Sequence, residues 1–193
     1  MTISQPKAMI HETKLCYNGF FQLKQHTIQH NKFDGSQSKP HQREVLIRKP
    51  TVAMLMFDPK HNTVLLTEQF RIGPLENDSN PWLFELPAGI VEKNEDKHHA
   101  IEREVLEETG YICTAEQMIG EFYLSPGGSN ETTTLFFSRL TLLDSGIHGE
   151  QTENEDIKTH IMSIDHACQL MQQGRLSVIT ALALMWLKNQ EVK

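Results

Sequence analysis

Gly89–Tyr111, GIVEKNEDKHHAIEREVLEETGY, is the stretch from which the rest of the chain can be read. Asn94–Asp96 supplies side chains that accept hydrogen bonds at a helix start, and acidic groups there suit the positive end of the helix dipole. Gly110 supplies the left-handed backbone that ends a helix. The spacing therefore predicts a helix from about Asn94–Asp96 to Gly110, with Ala100, Ile101, Val105 and Leu106 compatible with it. At about 100° per residue, Glu104, Glu107 and Glu108 share an arc of about 100° on that helix. Like charges so placed repel by about 0.2–0.5 kcal/mol per exposed pair, and by more when buried. A sequence selected for stability alone would interleave lysines; here only Arg103, four residues before Glu107, offsets the cluster locally. Clustered carboxylate oxygens suit a hard divalent cation, Mg²⁺ or Mn²⁺. A solvated acidic helix face is the competing explanation, and the glycine, arginine and bounding glycine at fixed spacing weigh against it.

The same residues resemble the signature of the Nudix hydrolase family, G-x5-E-x7-R-E-U-x-E-E-x-G-U, where U is a bulky apolar residue. Gly89, Glu95, Arg103, Glu104, Glu107, Glu108 and Gly110 fill every fixed position; Val105 fills the first U and Tyr111 is a slightly polar second one. The resemblance implies an enzyme that hydrolyses a nucleoside diphosphate linked to another moiety. It implies that Glu104, Glu107 and Glu108 bind metal ions, that Arg103 orients a carboxylate by a salt bridge, and that Glu95 supports the site.

A chain of 193 residues is the size of one domain, or of one domain with a small appendage. A hydrophobic fraction of 38% with dispersed charge is that of a globular protein. The net charge of −7, with no concentration of Lys and Arg, speaks against a nucleic-acid surface. It also repels a phosphate-rich substrate unless cations and a few placed arginines offset the field. Cys16, Cys113 and Cys168 are odd in number, widely spaced and free of a C-x-x-C pair, so neither a disulfide framework nor a zinc site is expected, and a reducing cytoplasm fits best. The N-terminal MTISQPKAMIHETK lacks the apolar core of a signal peptide. Val178–Leu187, the most apolar C-terminal run, is too short to span a bilayer.

Residues 1–50 read as a small antiparallel β module. Asn18-Gly19 is a strong hairpin signal, Phe20–Ile28 and Arg43–Arg48 are strand-like, and Phe33–Ser36 is a turn. Three such strands bury little surface alone, so the module needs a partner surface. Residues 51–193 then form a second domain. Its predicted strands are Thr51–Phe57, Thr63–Phe70, Trp82–Leu86, Met118–Leu124, Thr132–Leu140 and Lys158–Ile164. Arg71–Pro81 and Leu142–Ile157 read as loops, and two terminal helices run from about Asp165 to Gln173 and from Ser177 to about Asn189. Strands around one central helix, with terminal helices, give an α/β (α+β) class with a mixed sheet covered on both faces, which agrees with the α/β/α sandwich of the Nudix family.

Further stretches resemble the ADP-ribose pyrophosphatase branch of that family. Pro126 lies sixteen residues after Gly110, as in that branch, although Pro-Gly-Gly is also an ordinary tight turn. Glu68–Arg71, Asn80–Trp82, Glu85 with Pro87–Gly89, Ser125–Glu131 and Glu153–Ile157 extend the likeness from about Gly19 almost to the C-terminus. It implies that Ala88 offers a backbone carbonyl to a metal, that Arg71 binds a phosphate, and that Glu131 contacts the terminal ribose. It further implies that Phe20 stacks on adenine and that Arg43 reaches the adenosine end. Phe20 as a core residue and Arg43 as a solvated strand charge are the plainer alternatives. With three glutamates assigned to metal, a separate carboxylate must take a proton from water; the resemblance places it in the acidic loop Glu150–Asp156, at Glu153, with Glu155 as the other base or a further ligand. A homodimer through the N-terminal module is also implied. Rival readings are another nucleotide-sugar or dinucleotide hydrolase, a non-catalytic ADP-ribose sensor, and a structural interaction domain.

Overall fold

A computed structural model describes residues 7–149 and 155–191. The chain forms two compact units: the segment ending at Lys49 together with Tyr123–Glu131, and Pro50–Phe122 together with the chain from Thr132.

The first unit is an antiparallel meander of β1 (Ala8–Asn18), β2 (Gln22–His30) and β3 (His41–Ile47) in that order. Asn18 pairs with Gln22 across the turn at Gly19, and Gly35, at φ 84, turns the segment between β2 and β3. The edge of β3 receives Tyr123–Glu131. The Leu46 amide donates to the Gly128 carbonyl at 2.8 Å, and the Asn130 side chain accepts from the Arg48 amide at 2.7 Å while donating to its carbonyl at 3.2 Å. Within that segment the Ser125 carbonyl accepts from Gly128 at 3.1 Å and from Ser129 at 2.9 Å, so Pro126 sits in a tight turn. Every residue of β1 is exposed, including the apolar Met9, Ile10, Leu15 and Tyr17.

The second unit carries the remaining strands: β4 (Thr51–Asp58), β5 (Thr63–Phe70), β6 (Trp82–Glu85), β7 (Ala88–Ile90), β8 (Gln117–Tyr123), β9 (Thr132–Arg139), β10 (Ile147–His148) and β11 (Ile157–Ser163). The sheet order is β10-β11-β5-β4-β9-β8, with β6 on β5 and β7 on β4. β4 runs parallel to β9 and antiparallel to β5, so the sheet is mixed. One face packs on α1 (Lys97–Thr109): Val52, Met54 and Met56 of β4, Leu65 of β5 and Phe136 of β9 share a core with Ala100, Ile101 and Val105. On alternate positions Phe57 and Phe137 stack at 6.5 Å, and Phe137 meets Trp186 of α3 (Val178–Glu191) at 5.2 Å. α2 (Ile164–Gln172) buries Ile164, Ala167 and Leu170. Because both faces are covered, the central strands are apolar at nearly every position rather than at every second one.

The architecture is the mixed α/β sandwich expected from the sequence, and α1 is capped as expected. The Asp96 carboxylate accepts from the His98 amide at 2.8 Å, and Gly110 ends the helix at φ 71. The sequence signalled β1 only through the turn at Asn18-Gly19 and set no bounds for it, and three short elements escape the pattern altogether: the 3-10 turn Gly73–Asn77 within the Arg71–Pro81 loop, β7, and β10 within the Leu142–Ile157 loop. Runs of two to five residues hold too few side chains for a period to register. Among the described residues no helix is long and apolar enough to cross a membrane.

Candidate active site

The site begins where the chain changes partner strand. β6 pairs with β5, but after Leu86 and Pro87 the backbone crosses to β4, where Ala88 faces Ala53 and Gly89 faces Val52. Pro87 has no amide to satisfy, its carbonyl accepts from Met54 at 2.9 Å, and the Leu86 amide is taken up by the buried Thr180 hydroxyl at 3.1 Å. The crossing lays β7 against α1. The Ala88 amide donates to Glu108 Oε2 at 2.9 Å. A side chain at Gly89 would collide with the Glu104 carboxylate, so the bare backbone here is what lets that carboxylate lie where it does.

Arg103 organises the carboxylates. Its Nε and Nη2 hold both oxygens of Glu95 at 3.0 and 3.1 Å, Nη1 bonds Glu104 at 2.8 Å and Glu107 at 3.0 Å, and Nη2 also reaches the Ile90 carbonyl at 3.2 Å. The hydrogen bond from Arg103 drives the Glu95 carboxyl down to about 2 and anchors the loop before α1, where the second Glu95 oxygen also accepts from the Glu92 amide at 2.8 Å. Glu108 is 5% exposed, and burial pushes its carboxyl up to about 8 from an ordinary 4.5 despite the Ala88 amide; the charges of Glu104 and Glu155 push in the same direction. Burial also raises Glu104, against the pull of Arg103.

Of the other residues singled out by sequence, Arg71 ends up close enough for its charge to lower Glu108, and its Nε is fixed by Glu85 Oε2 at 2.7 Å. That pairing was not legible, because it depends on the β5–β6 register rather than on spacing along the chain. Glu68 is held by Arg175 at 2.8 Å and His160 at 3.0 Å. Glu155 lies within the electrostatic reach of Glu104 and Glu108. Glu153 lies outside the described residues. Glu131, Pro126, Phe20 and Arg43 belong to the first unit. Glu131 is paired with Arg48 at 3.1 Å, and Arg48 stacks on the Phe21 ring at 4.5 Å. Phe20 is 88% exposed and touches the Phe21 ring edge-on, so it is not a core residue. Arg43 is exposed on β3, with Nη1 donating to the Gln42 carbonyl at 2.9 Å.

Among the described residues no three His, Cys, Asp or Glu side chains already stand at metal-ligand spacing. Arg103 bonds Glu104 and Glu107, while Glu108 accepts from the Ala88 amide. The donor chemistry nonetheless fits a hard cation. All side-chain donors are carboxylate oxygens, and one is a buried carboxyl kept protonated by burial and neighbouring negative charge, a condition that a divalent cation reverses.

Residues 47–182 match the NUDIX domain, and the chain belongs to the NUDIX family. These hydrolases work with a divalent metal ion. The chain is 39% identical over 177 residues to the ADP-ribose pyrophosphatase of Haemophilus influenzae, covering 89% of this chain and 82% of that protein. It is 35% identical over 174 residues to the ADP-ribose pyrophosphatase of Escherichia coli K12, covering 89% and 83%. Similarity also extends to the GDP-mannose pyrophosphatase of Cronobacter sakazakii, 31% identical over 163 residues.

Two outcomes are expected. Gly89→Ala pushes the Glu104 carboxylate aside and weakens activation by divalent cation about 10–100-fold, measured by cation titration of activity in a variant with unchanged far-UV circular dichroism. Between its ordinary 4.5 and the folded value of about 8, Glu108 keeps a proton in the folded protein that the unfolded chain has released. Its contribution to the stability of the metal-free protein is therefore lost as pH rises through that window. Thermal melts are expected to show a steeper decline for wild type than for Glu108→Gln between pH 5 and pH 8, on the order of that titration window, with saturating Mg²⁺ removing the difference in slope.

Proposed function

We propose that this chain hydrolyses the pyrophosphate bond of ADP-ribose, releasing AMP and ribose 5-phosphate, with Mg²⁺ as its working cation and Mn²⁺ as the substitute. The observation that carries the reading is the buried Glu108 beside Glu104 under the bare Gly89 backbone: a cradle of carboxyl oxygens that folding alone does not favour. The ADP-ribose pyrophosphatases aligned over 89% of the chain support the substrate.

Glu104, Glu107, Glu108 and the Ala88 carbonyl hold the cation. When bound, it stabilises charge developing on the phosphoryl oxygens. Arg103 orients Glu104 and Glu107 and limits their repulsion. Arg71, aimed by Glu85, presents its guanidinium to a phosphate, a geometry that planar donors suit. The acidic loop takes a proton from the attacking water. The resemblance assigns that task to Glu153, with Glu155 as the other base or a further ligand. A water oxygen bonds to phosphorus, the bridging P–O bond breaks, and the bridge oxygen leaves with the other phosphate. The roles of Glu131 and Pro126 toward the terminal ribose, and of Phe20 and Arg43 toward the adenosine end, rest on the resemblance. The exposure of Phe20 and Arg43 leaves them accessible for it.

The apolar side chains left bare on β1 support a homodimer through the N-terminal module, since an isolated three-stranded sheet buries too little surface. The cysteines, free in the structure, support a reducing cytoplasm.

A substrate panel tests the activity. With Mg²⁺, ADP-ribose is expected to be cleaved in preference to GDP-mannose, ADP-glucose, NADH, diadenosine polyphosphates and a nucleoside triphosphate, with products resolved by chromatography. Glu108→Gln is expected to lose about 10²-fold or more in turnover. Preference for GDP-mannose would replace the substrate and keep the chemistry. Metal-independent binding of ADP-ribose with no turnover would make the protein a sensor. Gel filtration with light scattering at micromolar concentration is expected to give twice the chain mass of 22.1 kDa; the mass of a single chain would exclude the dimer.

A further inference from the structure

Tyr111 occupies the last position of the signature stretch, where an apolar side chain is expected, and its hydroxyl is fully engaged. Oη accepts from the Leu143 amide at 2.8 Å and from the Asp144 amide at 2.9 Å, and donates to the Asp144 carbonyl at 3.0 Å. Two accepted bonds and one donated bond are all that a phenol oxygen offers. The segment it grips is unevenly held. Leu142 is anchored, with its amide on the Asp58 carboxylate at 3.0 Å, but Leu143 is exposed.

Two residues beyond Asp144, a short ladder begins at Gly146 and leads toward the acidic loop. The Gly146 amide donates to the Thr159 hydroxyl at 2.7 Å, and the Thr159 amide donates to the Gly146 carbonyl at 2.9 Å. Ile147 pairs with Lys158 and His148 with Ile157. Gly149, at φ 111, brings the near limb so close to the far one that a side chain there would come within 2.8 Å of the Glu155 carbonyl oxygen. The His148 ring covers the end of α1, within 3.2 Å of where a Gly110 side chain would begin.

We propose that Tyr111 is a positioning residue: its hydroxyl clamps the Leu143–Asp144 backbone to the end of α1, and through the β10–β11 ladder it holds Glu155 in register with Glu104 and Glu108. The proposal rests on the reading of Glu155 as a working carboxylate of the acidic loop. Tyr111 touches no reacting atom; it sets the distance between two acidic elements that come from different parts of the chain. A leucine or phenylalanine would fill the same apolar space and leave the Leu143 and Asp144 amides to water.

The test is a double-mutant cycle on the full chain with Mg²⁺ and ADP-ribose, using Tyr111→Phe, Glu155→Gln and the pair. Tyr111→Phe is expected to lower kcat about 10–100-fold with KM unchanged, and to add less than about twofold in the Glu155→Gln background. Wild-type kcat in Tyr111→Phe, or an equal loss in both backgrounds, overturns the clamp. Wild-type kcat in Glu155→Gln removes the reading beneath the proposal and the proposal with it, whereas a loss there beside an unaffected Tyr111→Phe overturns the proposal alone. Hydrogen exchange supplies a measurement that needs no variant to fold: the Leu143 and Asp144 amides are expected to be protected in the wild-type protein, and exchange at the rate of open chain would overturn the clamp outright.

Discussion

The Arg103 guanidinium meets three carboxylates and a backbone carbonyl at distances no longer than 3.2 Å. Without it, four glutamates near one helix would repel one another and the loop that leads into the helix would lose its anchor. Its planar fork is the feature that matters, because one flat cation bonds the loop through Glu95, the helix through Glu104 and Glu107, and β7 through Ile90. Lysine could offer the charge but not that geometry. The acid cluster is thus tolerable in the resting fold while remaining under-neutralised, which is the electrostatic condition that attracts a second, divalent charge.

Glu108 lies beyond Arg103's bonds, and the chain meets it by other means. The partner exchange between β6 and β7 delivers a backbone amide to its carboxylate, and Gly89 leaves room for Glu104 beside it. The apolar sheet core beneath makes the placement rigid: Val52, Met54 and Phe136 lock α1 in rotation through Ala100, Ile101 and Val105. Hydrophobic packing therefore sets which side of α1 the glutamates occupy, and electrostatics only adjusts them afterwards.

Much of this was legible in the order of residues. The caps at Asp96 and Gly110, the carboxylate arc and the long apolar strands follow from local chemistry, and the structure places them within a residue or two. The NUDIX assignment followed from the resemblance of Gly89–Tyr111 to the family's signature. What escaped depends on contacts distant in sequence. β7 is three residues long and exists because β4 offers an edge. Arg71 finds Glu85 only after β5 and β6 pair. The polar second U at Tyr111 looked like a minor departure from a pattern, and its hydroxyl acquires a purpose only when Leu143 and Asp144, more than thirty residues away, fold back upon it. Pro126 sits in a plain tight turn, so its meaning beyond that comes from likeness rather than from geometry.

Tyr123–Glu131, filed by its contacts with the N-terminal unit, has a consequence for how this protein can be divided. The polypeptide passes from one unit to the other three times, before Pro50, before Tyr123 and before Thr132, so no single cut separates them. A chain starting at Pro50 would keep a nine-residue segment whose Leu46 and Arg48 partners had been discarded, stranding the Gly128 carbonyl and the Asn130 side chain. The N-terminal strands are thus tied to a second stretch of chain far along the sequence: evolution or engineering can exchange them only by also rewriting the segment Tyr123–Glu131.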